Sequence, residues 1–221
     1  MQRLSRQQLS RQASNHQTAP ATTTPTAVAS GTDVTYADPP TARAPLPPAA
    51  IYDLLAPAKA VLFGVQAMAP RGWPVSDPMS HAELIAHLAR QRPLMRWLKE
   101  TPTPDGEVRQ LAGGSHAVDL GALAELAGLR PYFDFVFQRS VMTALRLKGC
   151  PDPDACAYAA RIFDLPPAEV TLIQTDPACM AAARAAGLGT IIGIGQGDLA
   201  DRLYEAGATA VVMALPEFAE P

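Results

Sequence analysis

Short apolar runs alternate with helical segments from Ile51 to the end of the chain. Strands that are covered on both faces are brief, mostly apolar and rich in branched residues. Five runs fit this description, namely AVLF (60–63), FDFVF (133–137), VTLI (170–173), TIIGI (190–194) and AVVMAL (210–215), and EVRQLAG (107–113) is a weaker sixth candidate. Strands alternating with helices predict an α/β domain with a doubly wound, mostly parallel sheet.

The predicted helices have readable ends. Aspartates supply N-terminal caps, twice with proline at the following position, at Asp152-Pro153, Asp176-Pro177 and Asp198. Gly128, Gly187 and Gly207 predict helix C-terminal stops. The stretch 80–100 can form a helix that Pro93 interrupts or kinks. Sheets of this class place their sites beyond the carboxyl ends of the strands, so the residues that follow the strands are the candidate functional residues.

The first 50 residues differ in composition from the rest. They contain turn formers and small polar residues with almost no aromatic or branched side chains, which predicts a disordered Pro/Ala/Thr/Gln-rich tail (1–50) before a domain at 51–221. The first part of the tail carries Arg3, Arg6 and Arg11 and no acid. Three interpretations stay open: a solvated tail, a docking segment that folds on a partner or larger assembly, and an organellar transit peptide.

Net charge and cysteine content limit the partners and the cellular compartment that we expect for this protein. A net charge of −3 gives no general reason to expect nucleic acid or a membrane as a partner. Three cysteines leave one thiol over in any disulfide scheme, which favours a reducing compartment, and we expect a cytoplasmic protein. The four histidines are scattered and predict no metal site.

The second half of the chain carries the most specific motifs. The segments GLRPYFDFVF, LKGCPDPDACAYAARIFDLPPAEVTLIQTDPACMAAARAAGLGTIIGIG and ADRLYEAGATAVV resemble the haloacid dehalogenase (HAD) superfamily, in particular its β-phosphoglucomutase-like phosphatases. The resemblance implies a HAD-like Rossmannoid core and an active site built from four motifs. In that family an aspartate nucleophile and an aspartate acid/base follow the first strand, a Ser or Thr follows the second, a lysine precedes the third helix, and acids after the fourth strand hold magnesium.

The residues at the first two motifs depart from the family. The nucleophile falls at Gly64 and the acid/base at Gln66 in VLFGVQA. A glycine has no side chain and an amide cannot exchange a proton near neutral pH. The hydroxyl of the second motif falls at Gly113 or Gly114, with Ser115 one position late.

The other two motifs depart in the same way. Cys150 stands in the lysine position, with Lys148 two positions earlier, and we interpret Cys150 as a small neutral replacement rather than a nucleophile. Gln174 and Thr175 occupy the two acidic positions of the fourth motif. Asp176 is displaced by one and is better explained as a helix cap.

The interval from 64 to 105 is short for the helical cap that the family inserts there, so a reduced cap is expected. Because all four motifs change together, the main hypothesis is a pseudo-phosphatase that needs no cofactor. It would act as a binding or scaffolding module, with a homodimer as one option and with its tail docking to a partner. Two alternatives remain: a divergent magnesium-dependent hydrolase of a small phosphate ester that uses Ser115, Lys148, Cys150 or Asp176, and a small-ligand sensor.

Overall fold

A six-stranded parallel sheet forms the centre of the fold. The computed structural model describes residues 43–69, 80–114, 119–150 and 152–217. The strands are β1 (Ala60–Gly64), β2 (Gln110–Gly114), β3 (Phe135–Phe137), β4 (Val170–Gln174), β5 (Thr190–Ile194) and β6 (Ala210–Val212). Their order across the sheet is β3-β2-β1-β4-β5-β6 and every pairing is parallel. The predicted α/β class and doubly wound sheet are therefore confirmed.

The apolar sequence of β1 follows from its central position in the sheet. In β1, Val61 pairs with Leu111 of β2 on one side and with Thr171 of β4 on the other, and all five residues of β1 are buried. A strand with neighbours on both sides and helices on both faces has no polar positions to offer to water. The weak candidate at 107–113 is a strand, but it begins at Gln110, because Val108 is exposed.

Helices follow the strands on both faces of the sheet. Their bounds are α1 (Ala50–Leu55), α2 (Val65–Met68), α3 (His81–Ala89), α4 (Arg92–Glu100), α5 (Leu120–Leu126), α6 (Arg139–Ala144), α7 (Asp154–Ile162), α8 (Pro177–Ala185) and α9 (Asp198–Glu205), with short 3₁₀ turns at Arg130–Tyr132 and Pro167–Glu169. The predicted interruption near Pro93 is confirmed, since α3 ends at Ala89 and α4 starts at Arg92 with Pro93 in its first turn. Proline is tolerated there because first-turn amides lack an intrahelical acceptor.

The predicted caps are confirmed in part. Asp176 accepts the Ala178 N–H (2.9 Å) and starts α8 as expected. The helix predicted to begin at Asp152 begins at Asp154 instead, because Asp152 Oδ1 accepts the Asp154 N–H (3.2 Å) in a turn that precedes the helix. Asp198 is the first residue of α9 rather than its cap. All three predicted glycine stops follow helix ends with positive φ, namely Gly128 (67°), Gly187 (79°) and Gly207 (111°).

Two apolar cores lie on opposite faces of the sheet. The side chains of Val61 and Phe63 contribute to the core with α1 to α5, whereas Ala60 and Leu62 contribute to the core with α6 to α9. Alternate residues of one strand point to opposite faces, so a strand of small and branched residues serves both layers. This arrangement leaves the carboxyl ends of the strands as the place where the two layers open.

The region 64–105 was predicted to be a reduced cap. In its described part, helices α3 and α4 place Leu84, Leu88, Leu94 and Leu98 in the same core as Phe63 of β1. These helices are thus part of the layer on one sheet face, and residues 70–79 lie outside the described residues.

The boundary of the predicted tail also differs from the structure. Residues 1–42 lie outside the described residues. Within 43–50, Leu46 forms a parallel bridge with Val212: its N–H donates to Val211 O (2.7 Å) and its carbonyl accepts the Met213 N–H (2.9 Å). Backbone pairing along β6 therefore extends the ordered domain to residues before Ile51.

A buried arginine holds the ends of two helices together. Arg109 is 1% exposed and donates to the carbonyls of Leu55, Ala56, Leu98 and Thr101. Its guanidinium also lies 5.3 Å from the centre of the Trp97 ring. Carbonyls at helix C-termini lack intrahelical donors, and they carry the negative end of the helix dipole, so one buried cation satisfies α1 and α4 together.

Candidate functional site

The carboxyl ends of β1, β2 and β4 meet at one edge of the sheet. Gly64, Gly114 and Gln174 are the last residues of these strands. The chain leaves β1 toward β2 and β3, then returns to place β4 on the other side of β1. Such a reversal opens a crevice between the diverging connections, which is where sheets of this class hold their ligands.

A cavity of about 290 Å³ occupies this crevice. Six of the ten positions singled out in the sequence line it: Gly64, Gln66, Gly114, Cys150, Gln174 and Asp176. The rest of its described lining is mostly apolar and includes Leu62, Phe137, Met142, Ala155, Cys156 and Leu172. Residues from several sequence motifs thus lie around one cavity, and the described lining as a whole is largely apolar.

The end of β1 faces the end of β4 across this cavity. A Cβ atom placed on Gly64 would lie 2.0 Å from Nε2 of Gln174 and 2.6 Å from its Oε1. Gln174 is 6% exposed, and its Oε1 accepts the Thr175 N–H (2.8 Å). The Gln174 amide therefore occupies the volume into which any side chain at position 64 would first project.

Asp176 is the acid nearest to the fourth motif. Its Oδ1 accepts the Ala178 N–H, as described above, and its Oδ2 lies 3.9 Å from Cys179 Sγ. This sulfur is in a disulfide and has no proton, so the contact is not a hydrogen bond. The carboxylate is exposed and serves the start of α8 at the rim of the cavity.

A disulfide forms part of the cavity wall. Cys150 and Cys179 are bonded, with their Cα atoms 4.9 Å apart. The bond joins the turn before α7 to the first turn of α8, and in this state Cys150 carries no thiolate that could act as a nucleophile. The odd cysteine count had favoured a reducing compartment. The third thiol, Cys156, is buried, and the compartment stays a prediction.

Cys156 lies in α7 behind the disulfide. Burial, with a smaller contribution from Asp154, raises the pKa of its thiol to about 11. The group is therefore a neutral thiol near pH 7, and it adds to the apolar character of the lining.

The turn that carries Cys150 is held by a carboxylate. Asp154 accepts the N–H groups of Lys148 (2.6 Å) and Gly149 (3.0 Å). Burial alone would raise the pKa of this carboxyl, but these hydrogen bonds, with one from Ala155, outweigh it and the pKa is lowered. Asp154 is thus a charged residue that fixes local backbone geometry.

Three of the described positions are not part of the cavity lining or face away from it, and a fourth position lies outside the described residues. Lys148 is largely exposed and pairs with Asp152 (3.2 Å), away from the described lining. A side chain at Gly113 would meet Leu120 and Phe133 in the core, so Gly114 is the residue of β2 that faces the cavity. Thr175 is half-buried and is not part of the described lining. Ser115 lies outside the described residues.

The described residues that line the cavity do not fit magnesium. This cation takes oxygen ligands and is usually held by carboxylates. The positions that would supply them are Gly64, Gln66, Gln174 and Thr175, and Asp176 uses one oxygen as a cap. Among the described residues no group of three or more His, Cys, Asp or Glu could hold a metal ion.

Sequence reasoning missed several residues of this site. Cys179 is the most important, since its pairing with Cys150 spans 29 residues and has no local signal. Phe137, Met142 and Ala155 are apolar residues that belong equally well to a core. Only the positions taken by analogy to catalytic motifs could be found from the sequence, because those motifs have fixed places after strands.

Comparison with solved structures gives the fold a name. No family model matches the chain, and no curated protein matches it significantly. A putative beta-phosphoglucomutase from Thermotoga maritima matches with a TM-score of 0.50 at 17% identity, over 70% of this chain and 94% of that one. The chain has the HAD-like fold. The resemblance seen in the sequence motifs is therefore confirmed at the level of the fold.

Two further structures of HAD-like proteins match at similar coverage. A HAD-like protein of unknown function from Agrobacterium tumefaciens has a TM-score of 0.47 at 20% identity, over 71% of this chain and 94% of that one. A HAD family hydrolase from Deinococcus radiodurans, solved with phosphate and sodium, has a TM-score of 0.48 at 19% identity, over 72% of this chain and 92% of that one.

The helices of this HAD-like chain are short. Across the ranges that the structure describes, no helix is long and apolar enough to cross a membrane.

Proposed function

We propose that this chain is a catalytically degenerate HAD-like protein, a pseudo-phosphatase, that acts as a binding or scaffolding module. The observation that carries the proposal is the position of the Gln174 amide directly over Gly64. The family's nucleophile would have to project into this volume. The proposal therefore rests on a neutral amide, that of Gln174, in the space where the family has a reactive carboxylate. The Thr175 N–H holds this amide in place by donating to its Oε1.

The electrostatics of the site support the same conclusion. A phosphoryl group needs cations or hydrogen-bond donors aimed at its oxygens as charge develops. Lys148, the lysine nearest in sequence to the motif, pairs with Asp152 instead. Groups that act as a unit in catalysis lose nearly all of their effect when one is removed, and here several are replaced.

Magnesium binding and turnover test the loss of catalysis. The full chain is titrated with magnesium by calorimetry, with and without a phosphate mimic, and is assayed on a panel of sugar phosphates beside an active magnesium-dependent phosphatase. We expect neither saturable magnesium binding nor turnover above the buffer rate. Magnesium-dependent turnover that Asp176→Asn abolishes would overturn the proposal and favour the divergent hydrolase.

A double-mutant cycle tests the steric observation itself. Gly64→Ala should destabilise the domain by about 1 kcal/mol, because the Gln174 amide must move and loosen its bond to the Thr175 N–H. In the Gln174→Ala background the same change should cost little, which gives a coupling energy of roughly 1 kcal/mol in urea unfolding. Equal costs in both backgrounds would show that the amide does not occupy this volume.

The docking part of the proposal rests on the tail sequence. Basic segments with few apolar residues can fold on a larger partner and draw on charge complementarity. The test compares co-purification of partners by the full chain, by a chain lacking residues 1–12, and by a matched Arg3→Gln/Arg6→Gln/Arg11→Gln variant. Partners that depend on these arginines support docking, whereas an identical set from all three chains would contradict it.

A further inference from the structure

We propose that the crevice beyond β1 and β4 binds a small uncharged molecule with an apolar body. This inference rests on the proposed loss of phosphatase chemistry, and it names the class of ligand that the remaining site accepts. The observation behind it is the combination of a cavity of about 290 Å³ with a described lining that lacks the charged groups of the HAD phosphatases.

The charge of the described lining disfavours phosphate esters. Asp176 is the one acidic residue of the described lining. The described lining contains no lysine, arginine or histidine. An anion in the cavity would face a carboxylate and lose its hydration without gaining a cation, which is unfavourable. A cation would lose its hydration in a mostly apolar cavity and would gain one exposed carboxylate at the rim, whose Oδ1 already accepts the Ala178 N–H.

The size and surface of the cavity define the body of the ligand. A volume of about 290 Å³ equals that of roughly ten water molecules in the liquid and lies near the lower end of small-molecule sites. Leu62, Phe137, Met142 and Leu172 supply its larger apolar surfaces. An aromatic ring and a flexible thioether accommodate a flat or branched apolar group well. A single-ring compound matches this space.

Two amides define the polar end. Gln66 and Gln174 line the cavity, and neutral amides can donate to or accept from an uncharged group. Oε1 of Gln174 already accepts the Thr175 N–H, while its Nε2 is the atom that lies over Gly64. A hydroxyl or carbonyl oxygen near Gly64 could thus receive a hydrogen bond from this amide.

The disulfide makes the site rigid. It joins the turn before α7 to α8, and both Cys150 and Cys179 line the cavity. A wall that is fixed before binding lowers the entropic cost of ordering the site around a ligand. The disulfide should lower this cost for a ligand that contacts Cys150 and Cys179.

A matched set of probes tests the inference on the full chain. Benzyl alcohol, benzylamine and benzyl phosphate share one ring and differ in charge. Binding is followed by NMR of methionine methyl groups, with the Met142 signal assigned through a Met142→Leu variant. We expect benzyl alcohol to shift the Met142 signal saturably and to bind at least tenfold more tightly than either charged probe. Benzylamine or benzyl phosphate binding as tightly as benzyl alcohol would overturn the inference, and so would the absence of a saturable shift with benzyl alcohol.

Two variants in one helix locate the binding. Ala155 in α7 lines the cavity and Ala157 in the same helix is exposed. Ala155→Leu should weaken benzyl alcohol binding at least tenfold by filling space, and Ala157→Leu should leave it unchanged. Equal binding by both variants would place the probe elsewhere and overturn the proposal. The comparison of probes on the unmodified chain remains decisive if Ala155→Leu does not fold.

The experiment also separates this inference from the proposed function. Hydrolysis of benzyl phosphate in the presence of magnesium would overturn the loss of catalysis. No hydrolysis together with no benzyl alcohol binding would overturn the ligand class alone and leave the pseudo-phosphatase proposal in place.

Discussion

Reduction of the Cys150–Cys179 disulfide is expected to destabilise the domain by about 3.6 kcal/mol. The bond closes a loop with a sequence separation of 29 residues. In the chain-entropy description, closing a loop of about 30 residues removes roughly 12 cal/mol/K from the unfolded state, which gives the stated free energy at 25 °C. The same difference corresponds to a lowering of the melting temperature by roughly 7–14 °C for a domain of this size.

Urea unfolding of the oxidised and reduced protein measures this difference directly. With a slope of about 1–3 kcal/mol/M, the midpoint should fall by roughly 1–4 M on addition of a dithiol reductant. The reductant converts the disulfide to two thiols and is itself oxidised to a disulfide. A Cys150→Ala/Cys179→Ala variant is the control, since it should unfold near the reduced protein and should not respond to reductant.

Thiol counting decides whether the reasoning holds. In unfolded but unreduced protein, alkylation should modify only Cys156, and after reduction it should modify all three cysteines. Native protein should resist alkylation at Cys156, because burial raises its pKa to about 11. Three alkylated cysteines without reductant, or complete reduction with an unchanged midpoint, would refute the assignment of a stabilising disulfide.

Three further changes test the scaffold around the site. Arg109→Met should cost at least about 3 kcal/mol in urea unfolding, because it leaves buried helix-end carbonyls without donors, and a loss under about 1 kcal/mol would contradict the role given to this arginine. Gly189→Ala should cost about 2–3 kcal/mol, because its Cβ would lie 1.9 Å from the backbone oxygen of Ala168, and a neutral change would rule out this close approach. Asp154→Asn should lower stability by about 1 kcal/mol at pH 7. The pKa of Asp154 is lowered on folding, so the stabilisation by its carboxylate is present above the unfolded pKa near 4 and disappears as the pH falls through the folded pKa. The same loss of unfolding free energy in Asp154→Asn at pH 7 and at pH 3 would contradict this.

Local patterns were sufficient to predict the six strands approximately and several helix ends. The strand at 190–194 has the predicted bounds because its branched residues are covered on both faces. Asp176 and Pro177 start α8 as predicted, since capping depends on residues within one turn. The start of α7 was misplaced by two residues, because Asp152 bonds within a preceding turn whose geometry depends on Lys148 and Asp154.

The sequence could predict which residues lie at the site only where a family motif has a fixed position after a strand. The sequence by itself predicted that Gly64, Gln66 and Gln174 stand at positions where the HAD phosphatases carry reactive or metal-binding groups. Only the tertiary structure decided that Gln174 fills the space over Gly64 and that Cys150 is bonded to Cys179. Periodicity and capping report interactions within a few residues, whereas these contacts join strand ends and turns that are distant in the chain and meet only when the sheet reverses direction at β1 and β4.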